Sequence, residues 1–263
     1  MRKENARGVC RALFVWGTMT QRQSEAIVLR TWPFEEADLL VSLLTREQGR
    51  IKGVARHAMR SRRRFGGALE PMTYVRAAYA EKPKQELVRL DGFEILWSPL
   101  LEKVDYERTA ALEFVAEVLE EVLPEQAPDD AVFRLAIAVT EGMHVGRVWM
   151  PVMYFALWIS RLMGWMPALG RCVACGTDLR GMAVWYSPVA DGVRCDEDRG
   201  NQSFLLPPGA IAEAQRIFRS TLQELAQEEW PKRRAEALRH FAIALLERHL
   251  ERRVRSARAL ERI

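Results

Sequence analysis

Asp38-Leu-Leu-Val-Ser-Leu-Leu-Thr-Arg-Glu-Gln-Gly-Arg-Ile-Lys-Gly-Val-Ala55 is the stretch on which the fold turns. Its first half, Asp38–Thr45, is apolar and closes at Glu47-Gln48-Gly49, a turn signal. Its second half sets Ile51, Gly53 and Ala55 against Arg50, Lys52 and Val54. That period of two belongs to a strand with two unlike faces. The length of Asp38–Arg46 keeps a helical reading open beside the strand. Working outward, Glu25-Ala-Ile-Val-Leu-Arg-Thr-Trp32 is β-rich and stops at Pro33. Thr73–Tyr79 follows a Gly66-Gly67 and Pro71 break, and Leu87–Ile95 follows Lys82-Pro83-Lys84. Five strands with turns between them predict a small barrel or sandwich.

After Ser98-Pro99 the period lengthens. Leu112, Val115, Leu119 and Val122 share one helical stripe, with Glu113, Glu117, Glu120 and Glu121 largely opposite. Pro124–Pro128 is a break, and Asp129-Asp130 caps a helix from Ala131 to about His144. Trp149–Met163 is apolar on nearly all sides, the pattern of a central buried helix. One more helix, from Ile211 to Leu225, follows Pro207-Pro208, and another runs from Lys232 to beyond Leu250. The expected organisation is an extension without order (1–20), a barrel (21–98), a helical domain in two parts (99–170 and 206–263) and an insertion between them (171–205).

Charge excludes some functions and suggests one. Lys and Arg number 39 against 35 Asp and Glu, so the net +4 is small and only its distribution informs. Between Arg50 and Arg64 stand Arg50, Lys52, Arg56, Arg60, Arg62, Arg63 and Arg64 with no acid among them. Crowded arginines repel one another, and a polyanion relieves that repulsion while releasing counterions. These seven side chains are the candidate nucleic-acid contacts; a solvated loop without a partner is the competing reading. Phe65, Tyr74, Tyr79, Phe93 and Trp97 lie near enough in sequence to stack on bases, although strand aromatics are more often core. A second basic stretch, from Arg248 to Arg262, is interleaved with Glu247, Glu251 and Glu261, the pattern of a wet helix face that can extend a footprint.

The insertion holds Cys172-Val-Ala-Cys175-Gly176 and, with nineteen residues between Cys175 and the next knuckle, Cys195-Asp196-Glu197-Asp198. Two such knuckles at this spacing close a tetrahedral zinc site. Here Cys172, Cys175, Cys195 and Asp198 are the candidate ligands of a structural zinc, the carboxylate standing where a fourth thiolate is usual. A knuckle that folds without metal is the alternative. His-x-Glu ahead of the cysteines is missing, as are a Gly-x4-Gly-Lys-[Ser/Thr] phosphate loop and a Gly-x-Ser-x-Gly elbow, so no covalent active site is expected. The apolar run Val152–Ile159 stops at Ser160-Arg161, short of the roughly 18 residues of a membrane span. Ala12–Trp16, cut off by Arg11, is too short for a secretory segment, which points to the cytoplasm and leaves Met19 as a possible working start.

The order of several motifs resembles the bacterial RecO family of DNA repair proteins. They are Glu25-Ala-Ile-Val-Leu-Arg30, Gly49-Arg50 leading into Gly53-Val-Ala-Arg-His57, Leu69-Glu-Pro71, Pro128-Asp-Asp-Ala-Val-Phe-Arg134, and Gly164-Trp-Met-Pro-Ala-Leu-Gly-Arg-Cys-Val-Ala-Cys-Gly176. The likeness runs from about Gln21 to about Leu250 and departs at Asp198, where zinc-bearing relatives have a fourth cysteine. It implies an α+β chain: an N-terminal OB-fold barrel, then a helical domain with a zinc-ribbon-like insertion. It further implies binding of single- and double-stranded DNA, annealing of complementary strands, and help in loading RecA onto DNA coated by single-strand-binding protein. RecR and that coating protein are the implied partners, with no membrane. Two other classes stay open, a metal-dependent nuclease using Asp196, Glu197 and Asp198, and a regulator binding nucleic acid through the ribbon.

Overall fold

The computed structural model describes residues 19–61, 63–103, 105–144, 146–190 and 192–262. The turn at Glu47-Gln48-Gly49 sets the first hairpin. The Thr45 hydroxyl donates to the Gly49 carbonyl at 2.9 Å and accepts from the Gln48 N–H at 3.2 Å. Gly49 sits at φ +70°, where a side chain is strained, and a Cβ there would meet the Ala127 carbonyl oxygen at 2.3 Å. β2 (Leu39–Thr45) and β3 (Gly49–Ala55) therefore pair from Thr45↔Gly49 to Leu39↔Ala55. Asp38 lies just before β2, its carboxylate accepting the His57 N–H at 2.7 Å.

β1 (Thr20–Pro33) is long enough to serve two neighbours. Its first half pairs with β4 (Tyr74–Glu81) and, across a bulge between Val28 and Arg30, its second half with β2. β5 (Leu87–Trp97) runs antiparallel to β4 and parallel to β3, closing the barrel in the order β1-β2-β3-β5-β4, that of an OB-fold. Val28, Val41, Leu43, Ile51, Val75, Tyr79 and Leu90 fill its interior.

The outward residues of β1 and β2 dock on the helices: Ile27, Leu29 and Leu44 share one core with α1 (Tyr106–Val122), α2 (Asp130–Glu141) and α3 (Trp149–Leu162). Asp129 caps α2 by accepting the Ala131 and Val132 N–H groups at 2.9 and 3.1 Å. The insertion forms a sheet of β6 (Val184–Ser187), β7 (Gly192–Arg194) and β8 (Phe204–Leu206) in the order β7-β6-β8. The expected helix Ile211–Leu225 is two helices, α4 (Pro208–Ile217) and α5 (Leu222–Leu225). The break is a capping box: Thr221 Oγ1 accepts from the Glu224 N–H while the Glu224 carboxylate accepts from the Thr221 N–H. α6 (Lys232–Leu250) ends at Glu251, which turns left-handed at φ 53°, and α7 (Ala257–Arg262) packs back on α1. No helix among the described residues is long and apolar enough to cross a membrane. The expected extension falls mostly on residues 1–18, outside the described residues, and Thr20 already belongs to β1.

Candidate nucleic-acid interface and metal centre

The basic run that begins on β3 divides into two halves with different surroundings. Arg50 and Lys52 point outward from β3, and the end of α1 with the loop after it lies over them. Arg50 Nη1 sits 2.9 Å from Glu120, its Nε donates to the Leu123 carbonyl at 2.9 Å, and its side chain is only 11% exposed. The Ser42 hydroxyl donates to the same Glu120 carboxylate at 2.5 Å, and the Gln126 N–H donates to the Arg50 carbonyl at 2.9 Å. Arg50 is therefore withdrawn from the candidate phosphate contacts: its charge is already matched and its face is covered. Lys52 is half-buried and reaches Glu125 at 2.8 Å, and its ammonium holds that carboxyl below the usual range.

Past Ala55 the chain leaves the sheet. His57 adopts φ 53°, a 3-10 turn follows over Ala58–Arg60, and Arg56, Arg60 and Arg63 stand exposed. Among the described residues none of these three has a carboxylate partner. Arg64 turns inward, donating to the Arg56 carbonyl at 2.5 Å with its guanidinium 5.2 Å from the Phe65 ring centroid. Arg62 lies outside the described residues. Two further cations were missed: Lys82 and Lys84, read only as a turn, line a groove of about 720 Å³ together with Arg56, Val54, Arg89 and one acid, Glu86. Arg89 is held by Asp91 at 2.8 Å.

The aromatics nominated for stacking are committed elsewhere. Phe65 and Tyr79 are buried, Phe93 meets Phe65 edge-on at 5.3 Å, Tyr74 meets Phe133 at 6.3 Å, and Trp97 lies under the Arg108 guanidinium. The C-terminal basic stretch is partly neutralised as well. Arg252 reaches Glu121 at 2.6 Å, and the Arg255 and Ser256 N–H groups donate to Glu117 at 3.0 and 2.7 Å.

In the insertion, the Gly176 N–H donates to the Cys172 carbonyl at 3.0 Å, and Gly176 takes φ +78°, closing the first knuckle. The Val173 N–H donates to the Val193 carbonyl at 2.9 Å, bringing that knuckle to β7 and so to Cys195. One donor atom from each of Cys172, Cys175, Cys195 and Asp198 lies within 4.8 Å of the others. The Cys175 and Cys195 sulfurs are 3.8 Å apart, and an Asp198 oxygen is 3.3 Å from Cys172 and 3.1 Å from Cys195. A tetrahedral ion with bonds of about 2.3 Å to sulfur separates two sulfurs by about 3.8 Å, so the spacing fits a metal. Burial resists ionisation of Cys172, but backbone N–H groups of Cys175, Cys195 and Ala174 outweigh it and bring the thiol below its usual range. Hydrogen bonding to Asp198, then burial, pushes Cys195 up to about 12. The neighbouring acids do not make a second site. Asp196 accepts from Trp185 Nε1 at 3.0 Å and pairs with Arg199 at 3.1 Å, whereas Asp198 turns toward the thiols.

The sheet that carries these ligands is not a free ribbon. Tyr186 is fully buried and meets Phe241 of α6 edge-on at 4.8 Å, so the insertion shares the helical core.

Comparison with known proteins agrees with this order of parts. The family described as Recombination protein O N terminal matches residues 19–99, and Recombination protein O C terminal matches residues 103–258. A DNA repair protein RecO of Koribacter versatilis is 48% identical over 242 residues, covering 92% of this chain and 99% of its own length. One from Anaeromyxobacter dehalogenans is 31% identical over 248 residues, covering 93% and 98%. One from Symbiobacterium thermophilum is 31% identical over 203 residues, covering 74% and 78%. With both halves matched in order, and relatives aligned over most of their length, the chain belongs to the RecO family.

Proposed function

We propose that this protein is a DNA repair and recombination mediator that binds single- and double-stranded DNA at the barrel rim and anneals complementary strands. With RecR it assists loading of RecA onto DNA coated by single-strand-binding protein, in the cytoplasm. The observation that carries the reading is the trio Arg56, Arg60 and Arg63, exposed and without a carboxylate partner among the described residues. Family membership supports the repair role, and RecR, RecA and the coating protein come from that resemblance.

The rim chemistry needs no bond to break. Two complementary strands repel through their phosphates, and guanidiniums gathered along one short segment screen both at once while counterions are released. The turn is tied to the loop before β2: Asp38 accepts the His57 N–H, and the Met59 N–H donates to the Ala37 carbonyl at 3.2 Å. Lys82 and Lys84 add two cations to the adjoining groove, against the single acid Glu86.

Three thiolates and a carboxylate suit zinc in a structural role. Bound there, the metal would supply a cross-link between the two knuckles. Cys172, Cys175, Cys195 and Asp198 would hold it, and Val173 ties that cluster to β7.

The test is annealing of two complementary oligonucleotides followed by fluorescence, without nucleotide triphosphate. The wild-type protein accelerates it, and the Arg56→Ala/Arg60→Ala/Arg63→Ala variant does not. Equal acceleration by both would reject the rim as the annealing surface.

A further inference from the structure

We propose that Trp32 and Phe34 form a stacking platform for unpaired bases, so that the barrel rim grips phosphates on one side and bases on the other. This rests on the DNA-binding reading above and assigns it two contacts that charge alone does not provide. β2 separates β1 from β3, and the registers Pro33↔Leu39 and Leu39↔Ala55 align their ends at one rim. Two strand spacings of about 4.8 Å put Pro33 and Ala55 about 10 Å apart. Phe34 follows the first and Arg56 the second. Phe34 is 46% exposed, so its ring is open to a partner.

Trp32 is two residues before Phe34 and points out of the barrel, its row continuing through Leu40 and Val54. All three are half-buried, where the rows nearer Gly49 are covered by α1 and the loop after it. The Arg30 guanidinium lies 5.2 Å from the Trp32 ring centroid and occupies one face of it. The opposite ring face has no aromatic neighbour within stacking range among the described residues.

Charge is segregated across the rim. Glu35 and Glu36 are exposed beside Phe34, while Arg56 and Arg60 are exposed on the turn bonded to that loop. A phosphate is repelled at the first position and attracted at the second. A single strand satisfies both by turning its backbone to the arginines and its bases to Trp32 and Phe34. A duplex, whose bases are already stacked, has nothing to offer the rings.

The experiment measures binding of labelled oligodeoxythymidylate and of a blunt duplex to the full chain across a salt series. Phe34→Ala should weaken single-strand binding about 5- to 160-fold, the range for losing one base–aromatic stack, with salt slope and duplex affinity unchanged. Phe34→Trp should restore it and Phe34→Leu should not, which separates stacking from general apolar contact. Trp32→Phe, which keeps the half-buried position filled, should retain most of the single-strand preference. Wild-type single-strand binding by Phe34→Ala, alongside loss in the arginine variant, overturns this inference and leaves the DNA-binding reading intact. Equal loss on single strand and duplex also overturns it. Unchanged binding in both variants overturns both readings.

Discussion

Replacing Arg56, Arg60 and Arg63 with alanine together removes three charges at little cost to the fold. All three are exposed and without a carboxylate partner among the described residues. Two bonds at this rim that involve them, Arg64 to the Arg56 carbonyl and the Arg60 N–H to the His57 carbonyl at 3.1 Å, use backbone atoms and survive the change. Stability should therefore move by no more than about 0.5 kcal/mol. Each phosphate contact on a single strand contributes a slope of about 0.7 in log K against log salt, so three contribute about 2.1. At roughly 0.1 M salt that is a loss of about 100-fold in affinity, near 3 kcal/mol, shrinking toward nothing as salt approaches 1 M. Fluorescence anisotropy over a tenfold range of salt reads both slope and intercept. A variant that binds more weakly but with the wild-type slope would refute the argument, because the loss would then lie in shape or folding and not in counterion release.

Arg50→Ala should behave in the opposite way. It strands Glu120, whose side chain is 8% exposed, and should cost about 3 kcal/mol in denaturant melts while leaving the salt slope alone. Gly49→Ala should cost about 2–4 kcal/mol, since the methyl meets the Ala127 backbone and the residue must hold a positive φ. Burial opposes ionisation of Glu117, but the Ser256 hydroxyl and the Ser256 and Arg255 N–H groups outweigh it and bring its pKa below the ordinary 4.5. The unfolded chain then binds that proton more readily, so Glu117 stabilises fully above about pH 4.5 and its contribution fades as pH falls through the lower folded value. Acid titration of Glu117→Gln should show a shallower loss of stability below that pH. Cys172→Ser should lower both zinc content by elemental analysis and the melting temperature; Asp198→Cys should retain zinc more strongly against a chromophoric chelator. A Cys172→Ser protein that melts as wild type would remove the structural role of the metal.

The barrel was legible because its cause is local. Ile51, Gly53 and Ala55 alternate with Arg50, Lys52 and Val54, and that alternation is what the barrel interior selects. The gathering of Cys172, Cys175, Cys195 and Asp198 was legible for the same reason, a turn, a glycine and a spacing. What hid from the sequence depends on residues far along the chain. Arg50 reads as one more cation in a crowd, and its partner Glu120 stands seventy positions later on what looks like the wet side of a helix stripe. Glu117 shows the same thing, reading as a solvated carboxylate and serving as the acceptor for the start of the last turn. The capping box Thr221-x-x-Glu224 was readable, and hydrophobic spacing across Ile211–Leu225 masked it. Phe34 escaped notice because a phenyl beside two glutamates is ordinary at the end of a strand; only its exposure marks it.

The outer face of β2 and β3 explains why one arginine run divides into a covered half and an exposed half. Along that face the rows are Leu44–Arg50, Ser42–Lys52 and Leu40–Val54, with Arg56 following at the rim. The first two rows are closed by Glu120 and Glu125, which turn cations into attachments between barrel and helices. A barrel free to swivel would offer its rim in many orientations, and each bound strand would have to order it anew. With Arg50 pinned by α1, the rim cations sit at fixed positions relative to the helical body, so strand alignment carries little further ordering cost. The arginines that meet no acid are then the ones beyond the reach of that helix. On this argument the clamp and the grip are linked: loosening Arg50 should slow annealing even where single-strand affinity stays at the wild-type level.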